Sequence, residues 1–271
     1  MPELPEVETT RAGIAPHLTD RRVVRVDIRQ PMLRWPVPAD LARNLEGQTI
    51  KAVTRRAKYL LLHAGNGAAL MHLGMSGSLR VLDAGVPPQL HDHIDIVLDS
   101  RKVLRLRDPR RFGALLWVTG DPHAHPLLQR LGPEPLDEAL DGDYLYRQAR
   151  GRKVAVKNFI MNSRVVAGMG NIYANEALFL AGIHPARAAG RISPLRYWLL
   201  AHAIKLVLQR AIDYGGTTLR DFVREDGKPG YFRHELRVYG KAGSSCADCG
   251  WPITLRVIGH RSTFYCGKCQ R

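Results

Sequence analysis

The chain contains no uninterrupted apolar run of 18 residues, so nothing in it predicts a membrane-spanning helix. Its first twenty residues lack an apolar segment of the secretory type and carry Glu3, Glu6, Glu8 and Asp20, which argues against a targeting signal and for a cytoplasmic protein. No cysteine precedes residue 246, which removes any disulfide framework from all but the last 26 residues. No internal repeat is visible, which argues against a solenoid. Acidic residues are scarce: 25 Asp and Glu stand against 40 Lys and Arg, for a net charge of +15 and a pI near 10.1.

What is present fits a folded, basic protein. With 271 residues and 45% apolar content the chain has room for two or three domains and a sizeable core. The excess of positive charge is the footprint of a partner carrying many phosphates, a merely basic soluble protein being the alternative. The four cysteines, Cys246, Cys249, Cys266 and Cys269, are spaced C-x2-C, x16, C-x2-C, as in a four-cysteine zinc ribbon. In a reducing compartment two disulfides are the weaker reading. Four protein ligands close a tetrahedron, so one zinc ion there is expected to be structural. Ile253, Leu255 and Val257 and then Ser262 to Tyr265 predict a hairpin with Ile258 to Arg261 at its tip. From Lys241 onward, five Lys or Arg face the single Asp248, so that tip is basic.

The opening text MPELPEVE poses a chemical question. Pro5 suits the start of a helix, and Glu6 and Glu8 suit a first turn where the helix dipole favours negative charge, so a helix is expected over residues 5 to 18. Pro2 and Glu3 are left over. If Met1 is trimmed, Pro2 becomes a terminal secondary amine. An α-amino group with a pKa of ~7.7 to 8.0 is about one-tenth neutral at pH 7, several hundred times more than lysine at ~10.4 offers.

Period-two patterning at Val24, Val26 and Ile28, at residues 59 to 62, 69 to 73, 94 to 98, 104 to 106 and 115 to 118 predicts a β-rich first block. Prolines and acidic residues over 119 to 143 read as a linker. The period then changes, and helices are expected over residues 144 to 165, 171 to 181 and 193 to 213. Within the β block, RKVLRLRDPRRFG places Arg105 and Arg107 on a strand and Arg110, Arg111 and Phe112 on a loop. Guanidinium forks suit phosphates and base edges, and an aromatic beside them can enter a base stack. A solvated strand with Phe112 in the core is the plainer reading. Met75 and His72 in MHLGMSG are similarly ambiguous between wedge or contact and core. In GMGNIYANE, Asn171 is expected as an N-cap whose helix start could hold a phosphate with Lys157 or Arg152 near it.

PELPEVE, Lys58 in RRAKYLLL, MHLGMSG, HDH at 91 to 93, DPRRFG, GMGNIYANE, GGTTLRDFV with DGKPGYF, VYG and the zinc ribbon, in that order, resemble bacterial formamidopyrimidine-DNA glycosylase over residues 2 to 271. The resemblance implies an α+β, multidomain fold. Its parts are an N-terminal β-sandwich with a leading helix (1–130), a helix-two-turn-helix domain with a lesion loop at Thr217 to Tyr231 (131–236), and a four-cysteine zinc finger (237–271). DNA would lie in the cleft between the halves. It also implies removal of 8-oxoguanine and formamidopyrimidines from damaged double-stranded DNA and cleavage of the strand by β,δ-elimination. Pro2 would be the nucleophile and Glu3 the general acid and base, with Lys58 assisting β-elimination and Arg261 δ-elimination. Glu6 would serve the helix start or support the groups in front of it. His91, Arg110, Arg152, Arg111, Lys157 and Asn171 would contact DNA, while Met75, Arg110 and Phe112 would fill the gap left by an everted nucleotide. One site per chain suggests a monomer. His260 departs from the glutamine expected before the tip arginine, which touches only the tuning of that tip.

Three alternatives share part of this pattern. An endonuclease VIII type enzyme would share Pro2 and Glu3 but prefer oxidised pyrimidines, and it lacks the PELPEVE text and Arg-Arg-Phe wedge. A non-catalytic zinc-ribbon DNA-binding protein would not need Pro2 at a terminus. A terminal-proline tautomerase would leave the charge and the ribbon without a role.

Overall fold

The computed structural model describes residues 2–217 and 232–271. The expected lesion loop therefore lies outside the described residues, except for Thr217. The chain divides into two compact units, Met1–Gln129 with Tyr214–Arg233, and Arg130–Asp213 with His234–Arg271.

The first unit opens with α1 (Leu4–Leu18), whose N-cap is Glu3. A capping box sets its start: the Glu6 carboxylate accepts the Glu3 N–H and the Glu3 side chain accepts the Glu6 N–H. The helix buries Leu4, Val7, Ile14 and Leu18. There follow β1 (Arg21–Ile28), the short α2 (Leu41–Leu45), β2 (Thr49–Arg56), β3 (Tyr59–Ala64), β4 (Gly67–His72), β5 (Ser78–Asp83), β6 (Asp92–Leu98), β7 (Lys102–Arg107) and β8 (Ala114–Thr119). All pairings are antiparallel, in the order β5-β7-β6-β1-β2-β3-β4-β8. The strand β1 joins the two halves, because Arg21 and Arg22 pair with β2 while Val23 to Ile28 pair with β6. Both halves enclose one core, in which Ile50, Leu60 and Leu62 meet Ile94, Ile96, Leu104 and Leu106 beneath Val7 and Ile14 of α1.

Two departures from the sequence pattern have local causes. The alternation expected at Val24, Val26 and Ile28 is broken by a bulge between Val23 and Arg25, so that Val23 and Val26 point inward and Val24 stands 55% exposed. The strands β2 and β5 and the helix α2 were not signalled by periodicity; β2, for example, buries only Ile50 and Val53 among charged and polar neighbours.

The second unit contains α3 (Gly142–Ala149), α4 (Val156–Ile160), α5 (Asn171–Leu180) and α6 (Pro194–Asp213), with α6 packed on α3 and α5. The single helix expected over 144 to 165 is two. Arg150 leaves the helix with ψ 130° and Gly151 takes a left-handed φ of +72°, which ends α3 before α4 begins. The strands β9 (Ile253–Ile258) and β10 (Arg261–Cys266) form the expected hairpin. Gly259 and His260, at φ +58° and +60°, make the two-residue turn whose twist matches the strands. A Cβ on Gly259 would fall 2.3 Å from the Asn158 amide, so glycine is also needed for close approach.

Candidate active site and metal centre

In the first unit, Pro2, Glu3 and Glu6 are all buried at the start of α1, the two carboxylates at 3% and 1% exposure. Glu6 uses both oxygens: Oε2 accepts the Glu3 N–H at 2.8 Å and Oε1 accepts the Thr217 N–H at 2.7 Å. It thereby fixes the backbone of the residue beside Pro2 and the last described residue before the loop. On the outer side of the helix Glu8 holds Arg11 and Arg55. Burial would raise the Glu8 carboxyl, but hydrogen bonds from these two guanidinium groups outweigh it and hold the pKa below the usual range. Arg55 also donates to the Ala57 carbonyl at 2.9 Å. Ala57, left-handed at φ +52°, and the half-buried Lys58 form the two-residue turn between β2 and β3, so the Glu8–Arg55 pair steadies the turn that carries Lys58.

His72, at the end of β4, accepts the Gly74 N–H on Nδ1 at 2.9 Å, which places its own hydrogen on Nε2 when neutral. Burial, then the positive charges of Lys58 and Arg34, push its pKa down to about 4. At neutral pH it is therefore an uncharged donor. Beyond it, Met75 is half-buried and Arg110, Arg111 and Phe112 are exposed, with the Arg110 guanidinium 5.0 Å from the Phe112 ring centre. Phe112 is not core: it stands 44% exposed. The Asp108 N–H donates to the carbonyl of His91 at 3.0 Å, so the turn bearing Arg110 and the loop bearing His91 are joined through backbone.

Arg105 does not extend this basic surface. It is 3% exposed, grips Asp95 through two nitrogens at 2.8 Å, and donates to the Val86 and Pro87 carbonyls at 2.9 and 3.1 Å. Its charge is spent inside, holding the 86–87 segment against the sheet.

In the second unit, Arg152 is exposed, donates to the Gln148 carbonyl and lies 5.7 Å from the Phe159 ring. Lys157 is fully buried, with Nζ donating to the Ser262 carbonyl at 2.9 Å and the Thr263 hydroxyl at 2.7 Å. Asn171 is the first residue of α5 and not its N-cap, which is Gly170; its side-chain amide donates to the same Ser262 carbonyl at 3.0 Å. Asn175, one turn on, accepts the Phe264 N–H at 2.7 Å. The α4 and α5 side chains thus hold β10 in place, and Arg261 is exposed at the tip. The four cysteine sulfurs lie within 4.8 Å of one another, with Cys246 to Cys269 at 3.9 Å and Cys249 to Cys266 at 3.4 Å. A tetrahedron with Zn–S bonds of ~2.3 Å has edges near ~3.8 Å, so these four residues can hold a metal ion.

Three side chains hold backbone N–H groups that no spacing in the sequence announces: Ser76 and Asp108, small polar residues inside MHLGMSG and DPRRFG, and Glu176, the carboxylate of the NIYANE helix. Glu176 is 4% exposed and accepts the N–H groups of Arg237, Val238 and Tyr239. A charged residue on an otherwise apolar helix was the available signal for it.

The architecture defines a basic protein of a β-rich domain followed by a helix-two-turn-helix module and a four-cysteine hairpin. The model of the formamidopyrimidine-DNA glycosylase N-terminal domain matches residues 1–115, and that of the formamidopyrimidine-DNA glycosylase H2TH domain matches residues 131–223. The formamidopyrimidine-DNA glycosylases of Thioalkalivibrio sulfidiphilus and Methylococcus capsulatus are each 60% identical over 271 residues, covering all of both chains. The crystal structure of MutM (Fpg) from Thermus thermophilus is 38% identical with a TM-score of 0.89, covering 99% of this chain and 98% of that one. A Lactococcus lactis Fpg in complex with abasic-site DNA is 32% identical with a TM-score of 0.91 over the whole of both chains. The chain belongs to the formamidopyrimidine-DNA glycosylase family. No described helix is long and apolar enough to cross a membrane.

Proposed function

We propose that this chain is a bifunctional base-excision repair enzyme that removes oxidised purines, 8-oxoguanine and formamidopyrimidines, from double-stranded DNA and then cuts the strand. The observation that carries the reading is end-to-end kinship with the family, joined to a Pro2-Glu3 start held at a capped and buried helix terminus.

With Met1 removed, the Pro2 nitrogen attacks C1′ of the damaged nucleotide and the base leaves with the glycosidic electrons. The opened sugar stays attached as an iminium. A secondary amine leaves that adduct no N–H to lose, so it remains cationic and acidifies C2′. Elimination of the 3′ phosphate follows, and δ-elimination then releases the 5′ phosphate. Glu3 protonates the ring oxygen and later exchanges protons at C2′. Glu6 acts behind it by holding the Glu3 amide. Lys58 assists the first elimination and Arg261 the second. His91, Arg110, Arg111, Arg152 and Asn171 serve the phosphates and the orphaned base, and Met75, Arg110 and Phe112 fill the gap, which offsets an eversion cost of a few kcal/mol. Lys157, whose Nζ is given to the hairpin backbone, acts on DNA through that hairpin. Cys246, Cys249, Cys266 and Cys269 would hold one zinc ion, which when bound supplies rigidity and has no open position for chemistry.

Matched duplexes containing 8-oxoguanine, a formamidopyrimidine or thymine glycol decide the substrate class. Faster excision of the two purine lesions is expected. A preference for thymine glycol would overturn the assignment in favour of an oxidised-pyrimidine enzyme.

A further inference from the structure

We propose that Asp108 and Ser76 form a buried positioning pair that sets the distance between the two gap-filling loops, the one carrying Met75 and the one carrying Arg110 and Phe112. The inference rests on the function proposed above and assigns to it two residues that touch neither base nor phosphate.

Asp108 is fully buried, immediately after β7. Its Oδ1 accepts the Ser76 hydroxyl at 2.8 Å and its Oδ2 accepts the Gly113 N–H at 2.7 Å. The second bond closes the 108–113 turn on itself, while the first ties that turn to the one after β4. Ser76 Oγ in turn lies 3.3 Å from the Arg110 N–H and accepts it. The Asp108 backbone adds the bond to His91 already described, and its carbonyl accepts from the Arg111 N–H at 3.1 Å and from His93 Nε2 at 2.9 Å. One residue therefore meets the loops that carry Met75, His91 and Arg110.

The loops also touch backbone to backbone. A Cβ on Gly74, which sits at φ +63°, would lie 2.3 Å from the Phe112 carbonyl carbon and 2.5 Å from the Gly113 nitrogen. The Arg110–Phe112 stacking lies within the second loop and does not link it to the Met75 loop. Paired strand ends, His72 with Ala114 and Ser78 with Arg107, bring the two loops side by side, and the Asp108 carboxylate is the buried side-chain tie between them. As the site stands both partners donate to it, an arrangement that a carboxylate satisfies with its two oxygens. In Asp108→Asn the new NH2 must face either Gly113 N–H or the Ser76 hydroxyl. If the NH2 faces Ser76, the hydroxyl accepts it beside the Arg110 N–H and its own hydrogen loses the charged acceptor it has in the native site.

A preorganised wedge matters only where a duplex gap must be filled, which gives the test its contrast. Single-turnover excision from an 8-oxoguanine:cytosine duplex is compared with cleavage of a single-stranded abasic oligonucleotide, which has no gap to fill. Asp108→Asn and Ser76→Ala are each expected to slow duplex excision by about tenfold, the worth of one buried hydrogen bond to a charged group. Each is expected to leave single-strand cleavage within about twofold. Ser76→Thr, which keeps the hydroxyl, should restore most of the duplex rate, and the double variant should be no slower than the slower single one, since both remove one contact. Duplex excision within about twofold of wild type, or duplex and single-strand rates falling in parallel, would overturn the pair. An unaltered enzyme that excises neither purine lesion would overturn the proposed function and this inference with it.

Discussion

Glu176 offers the clearest energetic test of how the second unit is held together. Its side chain, 4% exposed on α5, accepts three consecutive backbone N–H groups: Val238 at 3.0 Å and Tyr239 at 2.7 Å on Oε1, and Arg237 at 2.8 Å on Oε2. The 237–239 segment leads directly into the cysteine hairpin, and Val238 joins Phe179, Cys246, Ile253 and Cys266 in the small core beneath it. Burial raises the Glu176 carboxyl above its usual pKa and the three N–H groups pull it back only in part. The gross value of three charge-assisted bonds is thus offset by the cost of burying the charge, leaving a net of about 3 to 5 kcal/mol for Glu176→Ala, where three amides lose their acceptor. In Glu176→Gln the oxygen can keep Val238 and Tyr239, and only the Arg237 N–H meets an opposing NH2, for a loss of about 1 to 2 kcal/mol. Urea unfolding gives the energies, and amide hydrogen exchange at 237 to 239 locates them. Exchange should quicken by at least about thirtyfold in the alanine variant if the local opening energy falls by about 2 kcal/mol or more. An alanine variant within about 0.5 kcal/mol of wild type, with protection intact, would refute the role given to this carboxylate.

Removal of the metal should be felt locally first. Chelation is expected to release about one equivalent of zinc per chain and to abolish lesion-duplex binding while the first unit keeps its sheet signature by circular dichroism; unimpaired binding after complete zinc loss would contradict the assignment. His72 predicts a pH dependence. Its folded pKa of about 4 lies below the ordinary 6.5, so between these values the unfolded chain binds a proton that the folded one does not. Stability contributed by neutral His72 is present above that window and lost as pH falls through it, by up to about 3 kcal/mol, and His72→Gln should flatten this part of the profile. Arg105→Ala should destabilise the first unit by about 2 to 4 kcal/mol by leaving the buried Asp95 with Arg29 alone and Asp92 with Arg107 alone, whereas Arg107→Ala, on a partly exposed side chain, should cost under about 1 kcal/mol in thermal unfolding.

What could be read from the sequence was what depends on local spacing. The C-x2-C pairs and the alternation of β9 and β10 specified the hairpin, and Pro5 with Glu6 specified the start of α1 to within one residue. What escaped depends on partners far along the chain. Arg105 and Arg110 look alike in RKVLRLRDPRRFG, yet one meets Asp95 inside the sheet and the other is open to solvent. No periodicity separates them, because the difference lies in which carboxylate a neighbouring strand presents. Lys157 reads as a free cation and is committed to Ser262 and Thr263, more than a hundred residues away. The helix expected over 144 to 165 kept its apolar pattern across a break, since periodicity persists through a single left-handed glycine that backbone geometry does not tolerate in a helix. The bulge at Val24 shifted the phase of β1 for the same reason: one inserted residue changes which side chains point inward without changing composition.

Borohydride reduction of the enzyme mixed with an 8-oxoguanine duplex, followed by peptide mapping of the cross-linked product, addresses the chemistry most directly. The expected result is a stable protein–DNA adduct attached at Pro2, absent when Met1 is retained or Pro2 is replaced by glycine. An adduct that forms with a blocked amino terminus, or maps to a lysine, would contradict the account.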